Sequence, residues 1–215
     1  MNPFPLILSS PSGGGKTTIS RRLLETRPDV GYSVSCTTRP PRGGEMHGRD
    51  YFFLSLSGFE ERRLQGEFAE CAMVHGNWYG TLKAQVEQVL GRGAHVIMDI
   101  DVQGARQFHA AFPEAVMVFL LPPSADVLLR RLADRRTESS MEFQKRVRAA
   151  REELRAAMSY QYAVVNDDLE QACRIVSSII DAEAVRHSRQ PMLSGKVGEL
   201  VEGLDRQLLQ LTTPA

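Results

Sequence analysis

The run Ser9-Ser10-Pro11-Ser12-Gly13-Gly14-Gly15-Lys16-Thr17-Thr18 carries the plainest chemistry in the chain. Glycines let the backbone curl until successive N–H groups point inward, and a helix opening behind them adds the positive end of its dipole. Such a turn cradles phosphate oxygens. Lys16 would reach the β- and γ-phosphates of a nucleoside triphosphate, and Thr17 would offer its hydroxyl to Mg²⁺. The common pattern has a glycine where this chain has Ser10, a departure that leaves Gly13, Gly15, Lys16 and Thr17 in place. Further on, Met98-Asp99-Ile100-Asp101 closes an apolar run at the point where ligands collect in open α/β sheets. A carboxylate there can hold Mg²⁺ through water, and Asp101 serves equally as the N-cap of the next helix.

A second cluster lies in the segment from Thr37 to Phe53. Arg39 and Arg42 are separated by two prolines and followed by a Gly-Gly turn. Two guanidinium forks so placed can grip one phosphate bidentately, with hydroxyl donors added by Tyr51 and Tyr79. Taken alone, such a pair also reads as surface arginines on a loop. Residues 130–155 hold nine basic residues against five acidic ones. This stretch reads either as a charged helical hairpin facing solvent or as an arginine-bearing flap.

The elements that must position these groups follow from apolar patterning. Phe4 to Ser9 is an apolar run of strand length, and Ile19, Leu23 and Leu24 stand at helical spacing after the glycines. Residues 94–100, 115–121 and 163–166 read as buried strands. Helical patterns cover residues 82–90, 102–111, 125–133 and 169–184. Continuous apolar strands alternating with amphipathic helices predict an α/β fold, a parallel sheet with helices on both faces. Residues 33–81 interrupt the alternation and read as a strand-like, turn-rich inserted lobe. In the tail, Val197, Leu200, Val201, Leu204, Leu208 and Leu211 share one helical stripe. Packing of that stripe on the chain's own core is favoured over pairing with a partner helix, the route to a homo-oligomer.

Composition narrows the classes. With 215 residues, 42% hydrophobic and 24% charged, the chain is an ordinary globular one rather than a disordered one. Its 26 basic and 26 acidic residues cancel, so a whole-surface field drawing in nucleic acid or anionic membrane is not expected. No apolar run reaches the ~20 residues needed to span a bilayer. Met1-Asn2-Pro3-Phe4-Pro5 lacks the basic start of a secretory signal. The three cysteines, Cys36, Cys71 and Cys173, are far apart and form no metal or disulfide pattern, which suits a reducing cytoplasm.

The run Thr37–Leu54, with Glu70, Gly76-Asn77-Trp78-Tyr79-Gly80-Thr81, Asp99-Ile100-Asp101 and Val165-Asn166-Asp167-Asp168, resembles the guanylate kinases, a group of P-loop nucleoside monophosphate kinases. The resemblance covers roughly residues 4–185 and not the tail. It implies a guanylate-kinase-like domain over residues 1–186 and a helical tail over 187–215. The domain would comprise a core (1–34, 82–125, 160–186), a GMP-binding lobe (35–81) and a helical lid (126–159). It implies Mg²⁺-dependent transfer of the γ-phosphoryl of ATP to GMP. The ATP-binding residues by this resemblance are Ser10, Pro11, Ser12, Gly13, Gly14, Gly15, Lys16, Thr17, Thr18, Arg131 and Arg135, with Mg²⁺ at Thr17 and Asp99. The GMP-binding residues are Ser35, Arg39, Arg42, Tyr51, Glu70, Tyr79, Thr81, Asp101 and Arg146. Lys16, Arg135 and Arg146 would carry catalysis.

Two departures stand out. The family has Gly-Arg-Gly where this chain has Asp134-Arg135-Arg136, so Arg136 competes with Arg135 for the role. Trp78 stands where the family has a tyrosine, a ring that can still pack. Two other classes share part of the pattern. A P-loop kinase with a different phosphorylated acceptor would lack the guanine readers Ser35 and Glu70. A protein-binding guanylate-kinase-like module would have an altered phosphate loop, whereas Lys16 and Thr17 are intact.

Overall fold

The computed structural model describes residues 2–74, 76–133 and 140–212. The chain runs β1 (Pro5–Ser9), α1 (Lys16–Thr26), β2 (Val30–Tyr32), β3 (Cys36–Thr37), β4 (Phe52–Phe53), α2 (Leu56–Leu64), β5 (Phe68–Val74) and β6 (Asn77–Leu82). It continues through α3 (Lys83–Gly91), β7 (His95–Asp99), α4 (Val102–Ala111), β8 (Val116–Leu121), α5 (Ala125–Ala133), α6 (Ser140–Arg155), β9 (Tyr162–Val165), α7 (Leu169–Ala184) and α8 (Leu193–Thr212).

Five strands form one parallel sheet in the order β2-β7-β1-β8-β9. The period-2 geometry of a strand sends alternate side chains of β1 to opposite faces. Leu6 and Leu8 join Ile19 and Leu23 of α1 and Val176 and Ile180 of α7 on one side. Ile7 joins Val86 of α3 and Ala105 and Phe108 of α4 on the other. Both faces are covered, so every residue of β1 is buried, which explains its unbroken apolar run. All five strands point their C-terminal ends to one edge. Ser9, Tyr32, Asp99 and Leu121 therefore end side by side.

The inserted lobe is a second sheet, ordered β4-β3-β6-β5, with β3 and β4 parallel and the other pairs antiparallel. It also contains α2, a helix absent from the sequence reading of this region. Its start is set by Ser55, whose Oγ accepts from the Gly58 N–H. Phe59 of α2 is fully buried and stacks on Phe68 (4.3 Å) and Trp78 (5.7 Å). Trp78 thus keeps the packing role expected of it. Gly80 is required at the β5–β6 crossing, because a Cβ there would come within 2.9 Å of Cys71 Cβ, the Glu70 carbonyl oxygen and the Phe68 ring. β2 was likewise not read as a strand. With only three residues, it carries too little pattern to register.

α5 and α6 form a hairpin with a small core of its own, Leu128, Leu132 and Ala150. The tail corrects one expectation. α8 does not pack its stripe on the core: Val197, Leu200, Val201, Leu204 and Leu208 are all exposed. The residues just before it are anchored instead. Arg189 lies over the Phe4 ring (4.4 Å), bridges to the buried Glu183 (3.2 Å) and donates to the Glu114 carbonyl (2.7 Å). Among the described residues no helix is long and apolar enough to cross a membrane.

Candidate active site

The loop between β1 and α1 is held by its own backbone and by a distant asparagine. Gly13 (φ 79°) and Gly15 (φ 92°) take the left-handed conformation that the curl requires. The Gly14 N–H donates to the Pro11 carbonyl at 2.8 Å. α1 has no side-chain cap and no acidic residue in its first turn. Its first N–H groups are therefore open to an anion. Ser10 has a structural account: it is buried and its Oγ donates to the Pro11 carbonyl at 2.9 Å. A Cβ on Gly14 would meet the Ser10 side chain at 2.5 Å, so Ser10 makes glycine obligatory one turn on. Asn166, just past β9, donates from Nδ2 to the Gly14 carbonyl at 2.8 Å and sits where any Cβ on Gly15 would fall.

Lys16 opens α1, half-buried, and Thr17 and Thr18 follow it at the surface. Thr17 Oγ1 donates to Asp99 Oδ2 at 2.7 Å. A hydroxyl and a carboxylate, both hard oxygen donors, fit Mg²⁺, which keeps water and phosphate oxygens as its other ligands. Asp101 instead caps α4, accepting from the Gly104 N–H at 2.8 Å, so its N-cap role is realised.

Across the sheet edge, β5 and β6 build a buried polar pocket. Glu70 is buried, and its Oε1 accepts from the Thr81 hydroxyl at 2.7 Å. Burial pushes the Glu70 carboxyl above its usual range, the Thr81 hydroxyl pulls it down and the nearby Asp101 charge adds to the rise. Gly104 of α4 faces Glu70: a Cβ there would stand 3.3 Å from Oε2. Ser35 lies before β3, in hydrogen-bonding reach of the Tyr32 hydroxyl. Enclosure of that hydroxyl, with Asp99 and Tyr51 near it, pushes the Tyr32 pKa up to about 12. Part of the Tyr32 ring stays exposed.

Arg39 and Arg42 are organised by an acidic neighbour. Arg39 donates to Glu45 Oε1 at 2.8 Å, and the Arg42 N–H donates to Glu45 Oε2 at 2.7 Å. Arg39 holds the Glu45 carboxyl below its usual range, with the Arg42 N–H adding to the effect. The Arg39 guanidinium also sits 5.6 Å from the centre of the Tyr51 ring, which meets Tyr79 edge-on at 6.0 Å. Arg42 itself projects into solvent. Arg39, Tyr51 and Tyr79 are thus together, with Arg42 at the rim.

On the lid side, Arg131 donates to the Asn166 carbonyl at 3.2 Å, and its Cβ would stand 3.3 Å from a Cβ on Gly13. Arg146 donates to the Leu132 carbonyl (2.9 Å) and reaches Ser12 Oγ (3.5 Å). It therefore lies on the phosphate loop rather than at the Glu70 pocket. Arg135 and Arg136 fall outside the described residues. Four residues at the site had no assigned role from sequence: Tyr32, Glu45, Glu153 and Asn166. Glu45 and Asn166 stood inside quoted motifs. Tyr32 would have followed from recognising β2, whose C-terminal end faces the site. Glu153 gave no signal in a helix rich in charge.

The family model described as guanylate kinase matches residues 2–183. A guanylate kinase of Myxococcus xanthus is 45% identical over 185 residues, covering 86% of this chain and 88% of its own length. One of Anaeromyxobacter dehalogenans is 48% identical, covering 85% and 82%. The crystal structure of guanylate kinase from Anaplasma phagocytophilum superposes with a TM-score of 0.70 at 32% identity, covering 90% of this chain and 92% of that one. With a phosphate loop, a buried carboxylate–hydroxyl pocket and an arginine-bearing hairpin on one sheet edge, the chain belongs to the guanylate kinase family.

Proposed function

We propose that this chain transfers the γ-phosphoryl of ATP to GMP, giving ADP and GDP, with the residues named above in the following roles. The observation that carries the reading is the buried Glu70–Thr81 pair, set across the sheet edge from the Lys16 loop. Guanine presents N1–H and N2–H on one edge, and one carboxylate accepts both. Adenine has an acceptor at N1 and would meet Glu70 lone pair to lone pair. A site built for a missing donor discriminates by roughly 10⁴-fold or more. Thr81 and Ser35 add hydroxyls beside the base, with Asp101 at the pocket's edge. Arg39, Arg42, Tyr51 and Tyr79 take the GMP phosphate.

No covalent intermediate is needed. Phosphoryl transfer passes through a loose transition state, so positioning and charge neutralisation carry it. The loop from Ser10 to Thr18 cradles the triphosphate, Lys16 faces its β- and γ-oxygens, and Arg131 lies toward the adenine side. Arg135 and Arg146 neutralise the phosphoryl in flight. Thr17 and Asp99 are the donors that would hold Mg²⁺, which when bound would neutralise phosphate charge. Water competes with GMP as acceptor, so the lobe (35–81) and lid (126–159) close over the core only when both substrates are present.

The test is ADP release with Mg·ATP and GMP, dGMP, AMP, CMP, UMP or no acceptor. Turnover with GMP, weaker with dGMP and absent otherwise, is expected. A different acceptor would replace the guanine reading with another P-loop kinase. Lys16→Ala should fold and lose at least about a hundredfold in turnover. A folded variant with wild-type turnover would refute the phosphate-loop assignment.

Two further readings accompany this one. We place the enzyme in the cytoplasm, because its three cysteines are free and far apart in sequence, which suits a reducing compartment. We also read the exposed stripe of α8 as a seam between two copies of the chain.

A further inference from the structure

α6 ends on the phosphate loop with a carboxylate as well as a cation. Arg146 and Glu153 are seven residues apart, which puts them on one face of the helix. Both touch Ser12. Arg146 Nη2 is 3.5 Å from Ser12 Oγ, and Glu153 Oε2 accepts from the Ser12 backbone N–H at 3.3 Å. The loop's N–H groups are suited to phosphate oxygens, so a carboxylate on one of them occupies the place of an anionic ligand. Burial pushes the Glu153 carboxyl above its usual range, the Ser12 N–H and the nearby Lys16 pull it back toward the charged form, and Asp101 adds to the rise. The carboxylate thus stands between the phosphate loop and the start of α4.

We infer that Glu153 is a positioning residue that acts as a phosphate-mimicking latch: it holds the nucleotide-free loop, and the incoming triphosphate displaces it. Displacement has somewhere to go. A groove of ≈ 460 Å³ lies between α4 and the end of α6, lined by Asp101, Gln103, Arg106, Glu152 and Glu153. Arg106 is the cation on its wall, and the released carboxylate turns toward it. Because Arg146 rides on the same helix face and also reaches Ser12, release of Glu153 removes one of the two ties that hold α6 on the loop and frees the helix to shift Arg146. Filling of the triphosphate site and repositioning of the lid arginine then become one event. The inference rests on the phosphate-loop reading proposed above.

The test is titration calorimetry of the full-length protein with a non-hydrolysable Mg·ATP analogue and, separately, with GMP. Glu153→Gln keeps the shape and removes the charge; Glu153→Ala removes both. Each should bind the ATP analogue about tenfold more tightly than wild type, the equivalent of one charge-assisted hydrogen bond no longer competing. GMP affinity should stay within about twofold. A merely structural role would weaken both ligands and lower the melting temperature. Unchanged or weaker analogue binding by both variants would overturn the latch while leaving the phosphate-loop reading intact. Absence of analogue binding by wild type would remove both.

Discussion

Glu70 illustrates how one side chain can be good for recognition and poor for stability. Its carboxylate is buried, with donors from Thr81 alone, the hydroxyl and the backbone N–H, so its ionised form stays under-solvated until, in the proposed complex, guanine supplies further N–H groups. Burial raises its pKa above the ordinary carboxylate value. The folded free protein therefore holds this proton more tightly than the unfolded chain does. The sign follows: the associated stability is fully present below the ordinary pKa and is lost as pH rises through the raised one. Glu70→Gln escapes that loss. Its melting temperature should exceed the wild-type value near pH 7.5, and the gap should close near about pH 4. Its KM for GMP should rise at least about a hundredfold, and its KM for ATP should stay within about twofold. Equal weakening of both substrates, or a lower melting temperature at every pH, would contradict this account. GMP affinity of the wild type should itself fall as pH drops through the raised Glu70 pKa, which a pH series of KM would reveal.

At the scale of elements, the phosphate loop is shaped partly from outside. Asn166 follows β9, and it reaches the Gly14 carbonyl because β9 and β1 flank β8 in the sheet. The same residue's carbonyl takes the Arg131 guanidinium, joining the loop to the lid hairpin. Asn166→Ala would leave the Gly14 carbonyl without this donor at a buried position. We expect a stability loss of about 1–3 kcal/mol and an ATP affinity about tenfold lower, with GMP binding unaffected. Denaturant melts and calorimetry check the two separately. A loss confined to stability would reduce Asn166 to a packing residue. Element patterning was largely legible beforehand: α1, α4, α5 and α7 begin and end where the apolar periodicity placed them. α2 was missed because its buried face amounts to one residue, Phe59, amid polar and glycine neighbours. β2 was missed because three residues cannot display an alternation.

At the scale of the molecule, α8 presents an exposed apolar stripe. It carries Gly195, Gly198 and Gly203 in its interior, and each costs about 1 kcal/mol of helix propensity relative to alanine. In proteins most helical stability comes from packing of an amphipathic face rather than from propensity. Its stripe of valines and leucines repeats at helical spacing, with Glu199, Glu202, Asp205 and Arg206 elsewhere. The exposed parts of Val197, Leu200, Val201, Leu204 and Leu208, paired with the same face of a second copy, give an interface under about 1,200 Å², in the range of small or transient contacts. Ending the chain after Gln190 keeps the Arg189 anchor and removes α8. Light scattering should then report a single 190-residue chain, less than half the mass of the paired full-length protein, with turnover per chain within about twofold. Equal masses would exclude pairing through α8.

The sequence by itself determined what is written in short range. The glycine turn, the Lys-Thr pair, the strand and helix periods and the Thr37–Leu54 motif each lie within a few tens of residues. From them came the fold class and the phosphate chemistry, while Ser35, Glu70, Thr81 and Asp101 were named through the resemblance to guanylate kinases. Only the tertiary structure decided which distant groups meet. Thr17 with Asp99, Glu70 with Gly104, Gly14 with Asn166 and Ser12 with Glu153 are joined across the chain by sheet order and helix packing. It also decided that the tail's apolar stripe faces outward. The reason is physical: periodicity reports that a face must be buried, while the partner that buries it is chosen by the packing of the whole chain.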